Sequence, residues 1–246
     1  MKVRIKFAKR GNMKFIGHLD IMRYFQKVMR RAEIDIAYSE GFNPHQKMSF
    51  AAPLGVGLTS EGEYLDIEAN SVTTSYEMIE KMNSTMVDGM QVLSVVALDD
   101  NAANAMSLVA AADYLVKYRD GYRPECFEDD NVLKLEFDKF INSEAINILK
   151  KTKKSEKEVD IKPMIYSTEI NDGAICMKLA TGSARNLKPD LVMQAFHNAN
   201  NISLGDFDLE VCRLETYGST LGEETEDIDT IVKNLKPLDA FGTEIV

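Results

Sequence analysis

Along the first hundred residues, segments whose apolar residues recur every second position are interspersed with segments whose apolar residues recur at helical spacing. This order of segments limits the possible folds more than any other feature. Val3, Ile5 and Phe7 alternate with cations, a period of two that is typical of a half-buried strand. Residues 18–33 carry their apolar side chains at helical spacing. Further strands are predicted at 47–53, 62–69 and 90–97, and a second helix at 74–86. This order predicts a ferredoxin-like unit, a four-stranded antiparallel sheet with two helices on one face.

A similar but looser order follows a small, polar connection at 99–106. We therefore predict an α+β chain with two tandem ferredoxin-like (βαββαβ) halves and antiparallel sheets, one at 1–98 and one at 107–218. An extra extended segment interrupts the second half near 144–163. Residues 219–246 contain the acidic run GEETEDID and are expected to form a loosely ordered acidic tail.

Charge is distributed unevenly along the chain. The formal net charge is −10, which argues against a protein that coats DNA along its whole surface. Residues 1–50, however, hold eleven basic and four acidic residues, so the acidic surplus lies in the remainder of the chain. The charge pattern therefore predicts one basic site on an acidic protein.

Several protein classes are not expected. Apolar runs fall short of a membrane span, and Met1 leads directly into a strand, so we expect a cytoplasmic protein without a signal peptide. Cys126, Cys176 and Cys212 are scattered, without a C-x-x-C pair. A disulfide framework, a metal site and an iron–sulfur cluster held by this chain are therefore not expected, and the thiols should be buried and reduced.

The segment YSEGFNPHQKMSF, residues 38–50, is the densest candidate binding element. Gly41 permits a positive φ, and the Asn43–Pro44 pair favours a turn. The segment combines aromatic rings with cations, as single-stranded nucleic acid requires for base stacking and phosphate neutralisation. The residues concerned are Tyr38, Phe42, Asn43, His45 and Lys47. The alternative is a rigid structural loop whose Phe42 fills the core.

The segment 9–20 and the first helix form a second basic element. Lys9, Arg10 and Lys14 precede a helix that begins near His18, where free N–H groups favour anions. The polar side of that helix carries four more cations, namely Arg23, Lys27, Arg30 and Arg31. Together they could neutralise phosphates, although a simple solvated face is the alternative.

Two later segments are weaker candidates. The sequence TGSARNLKP places Gly182, Ser183, Arg185, Asn186 and Lys188 before a helix that begins at Pro189. It is read either as an anion-binding helix N-terminus or as an ordinary capped turn. The lysine-rich segment 150–163 also contains glutamates, which favours a solvated loop.

Catalytic motifs are scarce. G-x-S-x-G, H-E-x-x-H and P-loop patterns are absent, and histidine occurs only at positions 18, 45 and 197. His18 and His45 are candidates for an acid/base pair, because imidazole titrates near neutral pH. Their convergence is left open by the sequence, and His197 is read as structural.

The segments RIKFAK, GHLDIMR, AYSEGFNPH, KMSFA and SEGEYLDI, within residues 4–67, closely resemble the radical SAM-linked protein family. The later segments KKTKK, KEVDIKP and GSARNLKP are also similar. Gln46 stands where relatives typically have proline, and Gly17 where serine is common. Members of this bacterial family occur alone or attached to the C-terminal end of a radical SAM protein. The resemblance therefore implies a radical SAM partner, which would carry the iron–sulfur cluster and S-adenosylmethionine.

These observations favour a non-enzymatic RNA-binding or substrate-presenting module in tRNA or rRNA modification or processing. Two alternatives stay open: an RNA-acting enzyme that uses His18 and His45, and a protein-interaction adaptor that binds no nucleic acid. The oligomeric state is not predicted.

Overall fold

The computed structural model describes residues 1–151, 156–183, 185–221 and 227–246. The first part of the chain has the predicted order of elements. It contains β1 (Lys2–Lys9), α1 (His18–Arg31), β2 (Met48–Phe50), β3 (Thr59–Glu68), α2 (Ser75–Asn83) and β4 (Met90–Leu98). A short 3-10 turn, Gly11–Phe15, connects β1 to α1.

The second part follows directly and is longer. It contains α3 (Ala105–Leu108), β5 (Val109–Tyr118), α4 (Asp130–Ile141), β6 (Asn147–Lys151), β7 (Glu156–Asp160), β8 (Ile165–Asn171), β9 (Ala174–Ala180), α5 (Pro189–Ala199) and β10 (Leu209–Gly218). The C-terminal segment adds α6 (Ile228–Lys233) and β11 (Lys236–Pro237). The chain therefore has an α+β fold.

Nine strands of the described chain form one sheet that is mostly antiparallel. Its path is β4-β1-β3-β10-β5-β9-β8, with β2 paired to β3 and β11 paired to β10. The only parallel pairing in this described sheet joins β3 to β10, at Thr59–Cys212 and Ser60–Arg213. The antiparallel sheets expected for the two halves are therefore fused at a central junction.

Helices cover one face of this sheet and define two hydrophobic cores. In the first core, Val3, Ile5 and Phe7 of β1 face buried residues of α1 such as Phe25. In the second core, alternate residues of β5 and β9 face α4 and α5, including Phe137 and Phe196. The period of two in the strands thus separates a helix-covered face from an opposite face that carries polar side chains.

The C-terminal segment differs from the loosely ordered tail that composition predicted. The Leu238 carbonyl accepts a hydrogen bond from Arg4 Nη1 at 2.9 Å, and Leu238 itself is completely buried. Thr243 pairs with Ala97 at the edge strand β4. The acidic run misled the prediction because the residues after it include an apolar anchor and backbone groups that extend the sheet.

The extra extended segment in the second part is a separate two-stranded hairpin. Strands β6 and β7 pair with each other and stay outside the large sheet. Part of the predicted lysine-rich loop, residues 152–155, lies outside the described residues. The three cysteines are free thiols, but the expectation that they are buried is wrong: Cys126 is exposed, and Cys176 and Cys212 are partly exposed.

Candidate nucleic-acid or partner surface

Most of the basic excess in residues 1–50 is neutralised by carboxylates from elsewhere in the chain. Six of these cations have a carboxylate oxygen within 4.0 Å, in the pairs Arg4–Asp66, Lys6–Glu215, Arg10–Glu61, Lys14–Glu210, Arg23–Asp20 and Lys47–Glu68. Only Asp20 lies within residues 1–50. The candidate basic site is therefore smaller than the sequence count indicates.

Lys9 is not on the surface, contrary to its prediction as a nucleic-acid contact. Its residue is only 2% exposed, and its Nζ donates to the Ile16 carbonyl at 3.0 Å. Burial lowers the pKa of Lys9, and the nearby Glu63 carboxylate acts in the opposite direction. The prediction failed because Lys9 continues the alternation of Val3, Ile5 and Phe7, so that its side chain lies on the helix-covered face, where it lines a small cavity together with Phe7 and His18.

Three predicted cations of α1 stay available at the surface. Lys27, Arg30 and Arg31 are exposed, and among the described residues none has a carboxylate within 4.0 Å. Arg23 is also exposed, and its contact with Asp20 is a solvent-accessible i,i+3 pair of the kind that contributes little. We call Arg23, Lys27, Arg30 and Arg31 the basic arc.

The loop formed by residues 38–47, called here the GFNPH loop, extends into solvent. Gly41 has a φ of 105°, so an L side chain at this position would be strained. Phe42 is fully exposed, and the alternative in which it fills the core is wrong. Tyr38 is 49% exposed, and Asn43 and His45 are also exposed. The loop thus presents Phe42 as a ring without a structural contact among the described residues, whereas the Tyr38 hydroxyl is hydrogen-bonded to Gln46.

Internal hydrogen bonds fix the conformation of this loop. The Ser39 hydroxyl lies 2.8 Å from His45 Nδ1 and accepts a hydrogen bond from the His45 backbone N–H at 3.1 Å. At the end of the loop, Lys47 donates to Glu68 at 2.6 Å. This hydrogen bond raises the pKa of Lys47 and leaves less of its charge for a ligand. His45 is therefore a constrained, accessible side chain, whereas Lys47 belongs to an ion pair.

Gln46 joins the GFNPH loop to the basic arc, a role that the sequence analysis missed. Its Nε2 donates to the Gln26 carbonyl of α1 at 3.4 Å and to the Tyr38 hydroxyl at 3.3 Å. Arg30 Nε donates to the same Gln26 carbonyl at 3.3 Å. Because Gln46 and Arg30 share one acceptor, Arg30 is linked to Tyr38 through the Gln26 carbonyl and the Gln46 side chain. A glutamine has no sequence signal for such a role, since the contact depends on how the loop folds back on α1.

The two candidate histidines have different contacts. The His18 ring packs edge-on against Phe50, with ring centroids 5.2 Å apart. His45 lies in the GFNPH loop, where its Nδ1 is 2.8 Å from the Ser39 hydroxyl. Among the described contacts none joins the two histidines, so an acid/base pair stays a prediction. His18 thus has a structural contact, and His45 is the histidine that faces solvent.

The predicted anion-binding segment before α5 is organised by packing. A Cβ at Gly182 would lie 2.5 Å from the Val109 carbonyl oxygen, so glycine is required for close approach of the backbones. Leu187 is buried, while Ser183, Asn186 and Lys188 are exposed and Arg185 is partly exposed. Ala184 lies outside the described residues. Anion binding at this turn stays a prediction.

A buried polar cluster occupies the junction between the two cores and was also missed. Arg213 Nη1 in β10 donates to Glu63 in β3 at 3.0 Å and to the Ala52 carbonyl at 3.0 Å. A cavity of about 20 Å³ beside Glu63 is also lined by Lys9 and His18. This volume is sufficient for about one water molecule, so the cluster does not form an open substrate site. The sequence could not reveal the pair, because 150 residues separate its members.

Helices in the described chain are too short or too polar to cross a membrane. Among the described residues, no three His, Cys, Asp or Glu side chains gather as a metal-binding group.

Three comparisons relate the chain to known proteins. No curated protein matches this chain. Among solved structures, a chain of a Cbf5-Nop10-Gar1 complex superposes with a TM-score of 0.44 at 10% sequence identity, covering 87% of this chain. This chain covers 48% of that one, so it spans about half the length of its structural neighbour. A family model described as "Uncharacterized protein conserved in bacteria (DUF2344)" matches residues 2–189. Since that match covers more than half of the chain, the chain belongs to the DUF2344 family.

Proposed function

We propose that this protein is a non-catalytic RNA-binding module that holds single-stranded RNA, with the basic arc and the GFNPH loop as its principal contact surface. The observation that carries this proposal is the shared Gln26 carbonyl, through which hydrogen bonds connect Arg30 of the basic arc to Gln46 and Tyr38 of the loop. Cations and exposed aromatic rings on one surface match the phosphates and unstacked bases of a single strand.

The charge pattern supports RNA more than an acidic protein surface as the ligand. Most other cations in the first fifty residues are committed to carboxylates, but the basic arc runs from Arg23 to Arg31 along one side of α1, a rise of about 12 Å at 1.5 Å per residue. A row of cations along one helix side matches a backbone with regularly spaced negative charges. Phe42, which projects fully into solvent, supplies a ring on which a base can stack.

The order of strands supports a finer description of the fold. The first part has the order β4-β1-β3-β2, and the second has the order β10-β5-β9-β8. In each part this places the fourth strand beside the first and the third beside the second, with two helices on one face. We infer that the chain consists of two ferredoxin-like units whose sheets are fused, with β6 and β7 as an insertion in the second.

A radical SAM protein is proposed as the partner, on the sequence resemblance alone. This chain has no C-x-x-x-C-x-x-C segment, so the iron–sulfur cluster and S-adenosylmethionine would belong to the partner. In this arrangement the present chain would present tRNA or rRNA for modification or processing. Pull-down of candidate partners with and without nuclease distinguishes direct protein contact from contact through RNA.

The primary test is binding of fluorescein-labelled oligouridylate RNA to the full chain, measured by anisotropy across a salt series. For single strands, each phosphate contact contributes about 0.7 to the slope of log K against log salt. Lys27→Glu/Arg30→Glu should therefore lower the slope by about 1.4 and weaken binding about fivefold per contact at 0.1 M salt. Lys134→Glu/Lys139→Glu on α4 makes the same charge change elsewhere and should have little effect. No binding by the wild type at low salt would overturn the proposal, as would equal effects of the two double variants.

A further inference from the structure

We infer that a second RNA-phosphate site lies between the two parts of the chain, in a pocket lined by Lys14, Lys117 and Arg119. This inference rests on the proposed function and extends it to residues of the second part. The pocket, called here the junction pocket, has a volume of about 150 Å³ and is also lined by Gly57, Thr59, Leu115, Glu210, Val211 and Cys212.

The junction pocket exists because the two parts share one sheet. Thr59 of β3 pairs with Cys212 of β10 in the parallel ladder. Lys117 of β5 lies opposite Glu210 of β10 in the adjacent antiparallel ladder. Lys14 reaches the same place from the turn after β1, and the Lys14 carbonyl accepts a hydrogen bond from Gly57 N–H at 2.8 Å. Residues that are distant in sequence therefore converge on one pocket.

The charges of the junction pocket favour an anion. Three cations line it and one carboxylate, Glu210, opposes them. Lys14 Nζ lies 3.7 Å from Glu210, whose side chain is 58% exposed, so this is a weak, solvent-accessible pair. Burial raises the pKa of the Cys212 thiol, which is therefore neutral near pH 7 and adds no negative charge. Among the described residues, Lys117 has no carboxylate within 4.0 Å.

The size of the junction pocket indicates a small group instead of a whole cofactor. Pockets for drug-sized ligands are typically about 300–1,000 Å³, twice the volume found here or more. A phosphate with a few waters fits this space. An exposed aromatic ring beside the pocket favours a phosphate of a nucleic acid, because a base can stack on the ring. Phe15, next to Lys14, is 63% exposed. Lys14 Nζ lies 5.4 Å from the centre of this ring.

Two exposed apolar side chains lie between Lys14 and the basic arc along the chain. Leu19, which is 61% exposed, lies one helical turn before Arg23 on the same side of α1. In the sequence, Phe15 and Leu19 thus lie between Lys14 and the cations of α1. A single strand can contact the basic arc with its phosphates, stack a base on Phe15 and place another phosphate in the junction pocket.

Two opposite substitutions in the junction pocket test this inference in the same anisotropy assay. Lys117→Glu/Arg119→Glu should lower the salt slope by about 1.4, whereas Glu210→Gln should strengthen binding, because it removes the carboxylate that competes with phosphate. A gain in affinity is not explained by misfolding. Lys117→Glu alone, which retains the Arg119 contact with the Leu209 carbonyl, checks that the loss does not arise from unfolding and should lower the slope by about 0.7.

The outcomes separate this inference from the proposed function. If Lys27→Glu/Arg30→Glu weakens binding while the junction-pocket variants leave affinity and slope unchanged, the second site is overturned and the first surface stands. If inorganic phosphate shifts the amide resonances of Lys117 and Arg119 but RNA affinity is unaffected by their substitution, the pocket binds free phosphate and the RNA site is overturned. Protection of Phe15 by a protein partner alone, without RNA binding, overturns both proposals.

Discussion

Arg213 in β10 donates from a single nitrogen, Nη1, to both oxygens of Glu63 in β3, at 3.0 and 3.2 Å, with the two side chains only 6% and 7% exposed. This pair lies where the two hydrophobic cores meet and where β3 and β10 run parallel. The same nitrogen also donates to the Ala52 carbonyl, which fixes the loop between β2 and β3. The junction between the two parts is therefore held by a buried ion pair and not by apolar packing alone.

Glu63→Gln should destabilise the protein strongly, because it leaves the buried Arg213 guanidinium without its counter-charge. Removing one member of a buried pair typically costs about 3–5 kcal/mol. Urea unfolding measures the effect. Glu68→Gln removes a carboxylate from the exposed pair with Lys47 and should leave the unfolding midpoint almost unchanged.

The double variant Glu63→Leu/Arg213→Met tests whether the loss of stability in Glu63→Gln comes from the unpaired Arg213 charge. Replacing both members of a buried pair with apolar residues is often neutral or stabilising, so much of the loss should be recovered. If Glu63→Gln unfolds at the same urea concentration as Glu68→Gln, the pair does not hold the junction.

The prediction of the fold succeeded where local patterns determine structure. The alternation in residues 3–7 and the helical spacing of Ile21, Phe25, Val28 and Met29 place β1 and α1 correctly, since each pattern has to be buried against a neighbour. The fusion of the two sheets was not predictable in the same way. It depends on the parallel pairing of Ser60 with Arg213, two residues that carry no local signal for each other.

Stability should fall as the pH is lowered below about 6.5, partly because of His197. The residue is 1% exposed, its Nε2 lies 2.8 Å from the Tyr118 hydroxyl, and burial lowers its pKa from 6.5. Below pH 6.5 the unfolded chain therefore binds a proton at this site while the folded chain does not. Stability consequently rises with pH between the lowered pKa and 6.5, and is lost as the pH falls through that range.

Urea midpoints of the wild type and His197→Gln at several pH values between about 5 and 8 test this dependence. The variant has no titrating group at position 197, so its stability should change less with pH than that of the wild type. Parallel curves for the two proteins would assign the acid sensitivity to other residues.

Leu238→Ala should destabilise the protein although it lies in the predicted tail. Leu238 is fully buried on the polar face of the sheet, close to the Arg4 side chain. Truncating a buried leucine typically costs about 2–5 kcal/mol through lost burial and the cavity left behind. Val246→Ala, at the exposed C-terminus, provides the control in thermal or urea unfolding. Equal stability of both variants would show that the C-terminal segment does not contribute to the folded core.

The sequence predicts only part of the candidate surface, because some of its cations form ion pairs with carboxylates that are distant in sequence. Exposure of the α1 cations follows from helical spacing, whereas the sequence left open whether Phe42 fills the core. The neutralisation of Lys6 by Glu215 does not follow from such spacing, because Glu215 comes from β10 in the second part, a strand that the sequence does not place next to β1. A charge count along the chain therefore overestimates a basic site whenever long-range pairs form.

Phe42→Ala should weaken RNA binding without changing stability. The ring is fully exposed, so its removal leaves no cavity, and base–aromatic stacking is worth about 1–3 kcal/mol per base. Affinity for oligouridylate should therefore fall about 5- to 150-fold, while the salt slope stays the same because no phosphate contact is lost. Tyr122→Ala removes an aromatic ring that is 53% exposed in the second part and should bind like the wild type. An unchanged affinity for Phe42→Ala, or an equal loss in both variants, would remove the GFNPH loop from the RNA-binding surface.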